Sequence, residues 1–237
     1  MGKLSIVATP IGNLEDITLR ALRILKEADA VLCEDTRVTK HLLDHYEIKT
    51  PLISYHQHSG LAKVSKIKEL LFADKNLALV SDAGTPGISD PGSQLVSLLR
   101  EELPQTSIEC LPGPSALTAA VSLAGNGFDR FVFLGFLPHK KGRQTMLRQI
   151  FEANYPSVFY ESKHRIVKAI KELSVLELEI GQKLRLILSR ELSKLHESWY
   201  SGTTAEILDI LENNPDSLKG EFVVLAQRAD KLKNEKK

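Results

Sequence analysis

Cysteine is scarce in this sequence: Cys33 and Cys110 are the only two in 237 residues. Two are too few for a disulfide framework or a zinc site, and no metal is expected. Each falls in or beside an apolar, strand-like run, which reads as buried, inert thiols in a reducing cytoplasm. Long hydrophobic runs are also absent, since none approaches the ~18 residues needed to span a bilayer. Met1 to Val7 passes directly into a strand-like run with no signal-peptide architecture, and Ile6 stands where a myristoylation motif needs Ser or Thr. A cytoplasmic protein without a membrane partner is therefore expected.

Excess charge is lacking too. A net charge of +1 gives no global argument for nucleic acid. The second half does carry clusters, His139-Lys140-Lys141-Gly142-Arg143 with Arg148 and Lys163-His164-Arg165 with Lys168 and Lys171. Phosphate binding requires only such a local patch, although solvated helix faces look the same in sequence. Lys231, Lys233, Lys236 and Lys237 read as a frayed polar tail. Dinucleotide and mononucleotide fingerprints are missing as well. No G-x-G-x-x-G follows a strand-like run, because Gly125-Asn126-Gly127 precedes a strand and meets Arg130 where the third glycine belongs. No G-x-x-x-x-G-K-[ST] occurs, so nicotinamide enzymes and P-loop NTPases are disfavoured.

What is present is regular. Strand-like runs alternate with amphipathic helical patterns: Leu4 to Ala8, then a helix over Asp16 to Ala28; Ala30 to Cys33, then Val38 to His45; Pro51 to Tyr55, then Leu61 to Phe72. Leu77 to Val80 leads to a helix around Leu95 to Leu99, and Ser107 to Leu111 to a helix over Leu117 to Leu123. This spacing predicts a largely parallel sheet with helices on both faces. Gly125-Asn126-Gly127 is the expected linker, giving domains over residues 1–124 and 128–237. Beyond it, strands are expected at Phe131 to Phe136, Ser157 to Tyr160, Leu184 to Ser189 and Glu221 to Ala226. Helices are expected at Arg143 to Glu152, His164 to Leu173 and Thr204 to Leu211, making a second α/β domain with a mixed sheet.

The segment from Ser81 to Gly92 holds three glycines, two prolines and two aspartates between a strand and a helix. In an open α/β sheet that is where ligands bind. Rich in small residues and without a dedicated lysine, the loop suits a ligand that presents no phosphates, such as S-adenosylmethionine. Asp82 is read either as a ligand contact or as a turn residue, whereas Asp90 before Pro91 reads as a helix cap. Thr9 to Asp16, Glu34 to Arg37 and Pro112 to Ala116 also follow strands, and all these ends share one edge of a parallel sheet.

Together, Ala8-Thr9-Pro10-Ile11-Gly12-Asn13-Leu14-Glu15-Asp16, Glu34-Asp35-Thr36-Arg37, Ser81 to Gly92 and Pro112-Gly113-Pro114-Ser115-Ala116 resemble the ribosomal RNA small subunit methyltransferase I family, which has the tetrapyrrole methylase fold. Phe133 to Pro138, Tyr160 to Arg165, Ser189 to Glu197 and Gly220 to Val223 extend the resemblance over residues 4–226. It implies two α/β domains with S-adenosylmethionine in the cleft between them. It also implies methylation of a cytidine ribose 2′-hydroxyl in the decoding region of 16S rRNA within the small ribosomal subunit, by a homodimer. Cofactor contacts are then expected at Pro10, Asp82, Ala83, Gly84, Thr85, Ile88, Ser115 and Ala116, and from the second domain at Tyr160 and Gly202. Glu34, Arg37 and Glu191 are the catalytic candidates. Lys140, Lys141, Arg143, Arg165, Arg190 and His196 are candidates for RNA contact, and His56 and His58 for the rim. Glu34 with Arg37, and Arg190 with Glu191 or Glu197, read equally well as structural ion pairs. Lys163 departs from the family pattern, which has proline there. A small-molecule methylase of the same fold and a non-catalytic RNA-binding assembly protein remain alternatives.

Overall fold

The computed structural model describes residues 1–56 and 61–229. His58 and the lysines at 231, 233, 236 and 237 lie outside them. The chain separates into two compact units, Met1–Ser115 and Ala116–Lys237. Gly125-Asn126-Gly127 falls within the second.

In the first unit, strands β1 (Lys3–Val7), β2 (Ala30–Cys33), β3 (Leu52–Ser54), β4 (Leu77–Leu79) and β5 (Ser107–Leu111) form one sheet, ordered β3-β2-β4-β1-β5. Every pairing is parallel. Period-two alternation divides the strands' apolar residues between two cores. Leu4, Leu32, Leu77 and Leu79 pack against Ile67 and Leu71 of α3 (Leu61–Phe72) and Leu95 and Leu99 of α4 (Gly92–Glu102). Val7, Val31, Cys33 and Ala78 pack on the opposite side against Ala21 and Leu25 of α1 (Leu19–Glu27) and Leu42 and Leu43 of α2 (Thr36–His45). Cys33 is buried as expected, but Cys110 is exposed because β5 is an edge strand. A parallel strand covered on both faces must be apolar throughout, which is why these runs are nearly continuous.

Two helix starts differ from expectation, both because of caps. The helix expected from Asp16 begins at Leu19, where the Thr18 hydroxyl accepts from the Ala21 N–H at 3.0 Å. The one expected from Val38 begins at Thr36, because Asp35 accepts from the Arg37 N–H at 2.8 Å. A side-chain oxygen that satisfies an orphan amide fixes where a helix starts.

The second unit opens with α5 (Ala116–Ala124), followed by β6 (Val132–Phe136), α6 (Arg143–Glu152), β7 (Ser157–Ser162) and α7 (Ile166–Ile180). Next come β8 (Leu184–Arg190), β9 (Ser198–Thr203), α8 (Thr204–Asn213) and β10 (Glu221–Arg228). Its sheet runs β6-β7-β10-β8-β9, with β6 parallel to β7 and the remaining pairs antiparallel. The mixed sheet is as expected, but β9 is an addition. It has the sequence SWYSGT, with no run of apolar residues to announce it. One core joins Leu147 and Ile150 of α6, Ile166, Ile170 and Leu173 of α7, and Ile207 and Leu211 of α8 to Phe159, Leu186, Leu188 and Val224 of the sheet.

Helix α7 runs past the expected end at Leu173 and stops at Gly181, whose φ of 74° suits glycine. Ser174 and Val175 are weak helix formers, but Leu176 and Glu177 beyond them are buried and hold the helix to the core. Glu177 accepts from the Leu184 N–H and the Thr204 hydroxyl, each at 2.6 Å. One buried carboxylate thus ties the end of α7 to the starts of β8 and α8. Glu177→Leu leaves both donors unsatisfied and should cost about 2–6 kcal/mol of stability in urea unfolding, from ~1–3 kcal/mol per orphaned donor. Thr204→Val added to that background should then cost far less than it does alone.

Candidate active site at the strand ends

In the first unit the carboxyl ends of four strands meet. The loop after β1 is joined to the loop after β4 by an isolated bridge, with Thr9 N donating to Gly84 O at 2.9 Å and Gly84 N to Thr9 O at 3.0 Å. The Thr9 hydroxyl donates to Ser81 O at 3.1 Å. Thr85 donates to Pro114 O at 3.1 Å, which brings in the end of β5. The Asp35 N–H donates to an Asp82 carboxylate oxygen at 3.1 Å, which brings in the end of β2. The expected convergence on one edge is therefore built from hydrogen bonds.

The glycine-rich segment is closed on itself. Asp90 accepts from the N–H of Gly87 at 2.8 Å and of Gly92 at 2.8 Å. Asp90 is not the cap residue expected: Pro91 occupies that position, with no side-chain cap bond, and Asp90 closes the turn just before it through the Gly92 amide. Gly84 has φ +82°, and a Cβ there would lie 3.3 Å from Ile11 Cγ2 and 3.6 Å from Pro114 O. Pro10 and Gly84 are buried, while Asp82, Ala83 and Ile88 are exposed. Backbone and small side chains line this edge, which suits close approach by a ligand.

Its electrostatics are acidic. Partial burial, with Asp82 and Asp90 adding to it, pushes the Glu34 carboxyl above the usual carboxylate range, and His56 opposes the shift. Asp82 is also raised by burial, against the Asp35 N–H that stabilises its charge. Asp35 is held down to about 2 by the Arg37 side chain, which binds it through Nε at 3.1 Å and Nη2 at 2.6 Å. The ion pair expected between Glu34 and Arg37 is therefore made by Asp35 instead, and Glu34, like Asp82, keeps a raised pKa. Among the described residues, no group of three His, Cys, Asp or Glu side chains is placed to hold a metal ion.

Within the second unit, the ring of Tyr160 lies edge-on to Phe133 at 5.0 Å and to Phe136 at 5.3 Å. Burial raises its phenol pKa, against a backbone hydrogen bond from Leu117 at the start of α5. Ala116 begins α5, one residue after Ser115 closes the first unit. Gly202 has a local explanation. A Cβ there would come 2.8 Å from Glu206 Oε2, the carboxylate that reaches back to the Thr203 N–H in the capping box of α8.

Two of the expected RNA contacts need correction. Arg143 is 3% exposed and binds Glu172 at 2.7 Å, Glu161 at 3.5 Å and Pro138 O at 3.1 Å. Arg190 is 7% exposed and donates to Lys219 O at 2.6 Å, His196 O at 2.8 Å and the Ser198 hydroxyl at 3.0 Å. Both guanidinium groups are buried against acceptors of the protein, with Arg143 Nη2 left unpartnered, and Arg190 pairs with neither Glu191 nor Glu197. Arg165 is half-buried, bound to Glu161 at 2.7 Å and to Leu137 O at 2.8 Å. Lys140, Lys141 and His196 are exposed. Burial by itself would raise Glu191, but Lys194 at 2.8 Å and the Glu221 N–H at 2.9 Å bring it below the ordinary value.

Glu161 carried no separate signal, although it sits inside the Tyr160 to Arg165 motif. Its fully buried carboxylate holds Arg143 and Arg165 together, so the loops after β6 and β7 form one platform. A buried acid among basic residues was the available clue.

The model of the tetrapyrrole (corrin/porphyrin) methylases matches residues 3–208. The ribosomal RNA small subunit methyltransferase I of Thermotoga maritima is 43% identical over 212 residues, covering 90% of this chain and 93% of the relative. The chain belongs to the ribosomal RNA small subunit methyltransferase I family of tetrapyrrole methylases. Another member, from Mycoplasmopsis pulmonis, is 41% identical, covering 95% of this chain and 97% of the relative. Among solved structures, the methyltransferase CobJ superposes with a TM-score of 0.68 at 20% identity, covering 97% of this chain and 95% of its own. A uroporphyrin-III C-methyltransferase from Thermus thermophilus, complexed with S-adenyl homocysteine, gives 0.60 at 18% identity, covering 94% of this chain and 97% of its own. These two likenesses establish the fold of the family member and nothing finer.

Gly84→Val puts a β-branched residue at positive φ against Ile11 and should lower stability by about 1–2 kcal/mol, from the left-handed penalty alone. Thermal unfolding checks this, and Gly84→Ala should fall between Val and wild type.

Proposed function

We propose that this chain transfers a methyl group from S-adenosylmethionine to a cytidine ribose 2′-hydroxyl of 16S rRNA, in the cytoplasm, on the small ribosomal subunit. The observation that carries this reading is about 40% identity, over nearly the full chain, to proteins named ribosomal RNA small subunit methyltransferase I. The first unit's strand ends fit the cofactor. Gly84 offers a backbone cradle that a side chain would fill, and the acidic edge suits a sulfonium and an amino group. Pro10, Asp82, Ala83, Gly84, Thr85, Ile88, Ser115 and Ala116 would hold it, with Tyr160 and Gly202 from the second unit. When bound, S-adenosylmethionine supplies an activated methyl group on a good leaving group.

The chain's own task is to align the ribose and remove its proton. Glu34 is the better base. Burial and the neighbouring acids raise its carboxyl above the usual range, whereas Lys194 and an amide hold Glu191 below it and make it correspondingly less basic. The Glu34 carboxylate takes the 2′-hydroxyl proton as the oxygen attacks. Arg37, anchored to Asp35, presents its outer face to the RNA, and Lys140, Lys141 and His196 offer exposed contacts to phosphates. A second copy of the chain completes the assembly.

Glu34→Gln should reduce kcat on small subunits by about a hundredfold or more. Cofactor affinity should stay within about threefold, roughly 0.65 kcal/mol. Wild-type kcat should fall as pH drops through the raised Glu34 pKa, because the protonated carboxyl accepts nothing, and the variant should lose that limb. Ribose-methylation mapping of 16S rRNA with and without the gene tests the reaction itself. Methyl incorporation into a tetrapyrrole but not into the rRNA would reject it.

A further inference from the structure

The second unit contains a pocket apart from the strand-end site. It has a volume of about 110 Å³ and is lined by Asn126, Phe128, Arg185, Ile187, Trp199 and Gln227, with Ala124 at its edge. Ligand pockets for whole cofactors run to about 300–1,000 Å³. A water occupies about 30 Å³ of liquid, so the space suits one planar ring.

The register explains why these side chains share a face. Gln227 pairs with Arg185, Leu225 with Ile187, and Ser189 with Trp199, while Leu184, Leu186 and Leu188 face the helix-covered core. The wall is therefore the sheet face opposite α6, α7 and α8. Trp199 is 46% exposed on the edge strand β9. Arg185 is steadied across the strand pair by the Ser201 hydroxyl, at 3.3 Å from Nε and 3.2 Å from Nη2.

Gln227 decides what the ring is. It is 4% exposed and lines the pocket. It offers one acceptor and two donors, a match for the edge of a nucleobase and for nothing on a purely apolar side chain. Aromatic walls, an arginine plane and an amide are the means by which proteins take up an unstacked RNA base.

We infer that this pocket receives a single unstacked base of the RNA, stacked against Trp199 and read by Gln227. The assignment rests on the proposed RNA substrate. The base held here acts as a register mark on the RNA.

Trp199 is the sole tryptophan, so its emission reports this pocket directly. A short oligocytidylate should quench it, and the same oligomer with abasic riboses should not. Ala124→Leu, which fills the pocket and keeps the reporter, should abolish the quench and raise KM for the small subunit about tenfold with kcat unchanged. Trp199→Phe should retain most of the affinity, and Trp199→Leu should not. Equal quenching by the abasic oligomer, a response to protein concentration alone, or an unchanged KM in Ala124→Leu would each overturn the assignment. Wild-type protein that quenches with RNA yet methylates no 16S rRNA would instead sink the enzymatic reading and leave the pocket standing.

Discussion

Two backbone hydrogen bonds between Thr9 and Gly84 organise the first unit's functional edge. A parallel sheet delivers every strand end to the same side, but delivery alone leaves loops that drift independently. The Thr9–Gly84 bridge converts two of them into a short antiparallel pair. Thr85 then locks on the loop after β5 through Pro114, and Asp82 the one after β2 through the Asp35 amide. Gly84 sits at the node, in a conformation and a space that both exclude a larger residue. Asp90 does for the far end of the loop what the bridge does for the near end, gathering two amides on one carboxylate. With the amides of Gly84, Gly87 and Gly92 already bonded, the loop has less conformational entropy to lose on binding.

The second unit solves a different problem with buried charge. Glu161 has no exposed side-chain surface and joins two arginines, one from each neighbouring loop. Burying such a cluster gives little net stability, but removing one member strands the others. The consequence is geometric: the loops after β6 and β7 are held as one body while Lys140, Lys141 and Lys163 stay at the surface. Lys163, the departure from the family's proline, therefore stands on a platform that its neighbours Glu161 and Arg165 hold in place. The turn does not need a proline to be rigid.

Much of this was legible in the sequence, for a physical reason. In the first unit the central strands β2 and β4 are buried on two faces, so their apolar runs are unbroken, and the loops after β1, β4 and β5 are marked by glycine and proline. β2, α3 and β5 fall at the expected residues. β9 was not legible because an edge strand with one solvent-facing side needs no apolar run, and SWYSGT reads as a loop. The arginines were misread because a guanidinium looks alike in sequence whether it meets phosphate or a buried carboxylate. Arg143 and Arg190 are separated from Lys140 and Lys141 only by burial, which depends on Glu161 and on carbonyls far along the chain. Glu34 and Asp35 show the same limit, since adjacent acids are interchangeable in sequence until one of them caps a helix.

The division between Glu34 and Glu191 shows how environment assigns a role to a carboxylate. Both follow a strand and both lie beside an arginine in sequence. Glu191 has positive φ and gathers Lys194 and the Glu221 amide, contacts that favour its charge and lower its basicity. Arg37 turns to Asp35 and not to Glu34, and burial raises the Glu34 carboxyl against the pull of His56. That carboxyl faces Asp82 and Asp90, which disfavour its charge. A base must be ionised at working pH yet gain from taking a proton, and like-charge neighbours provide the second condition without removing the first. The acidic edge therefore serves two ends: it suits a cationic methyl donor, and it raises the affinity of Glu34 for the proton that the acceptor must lose.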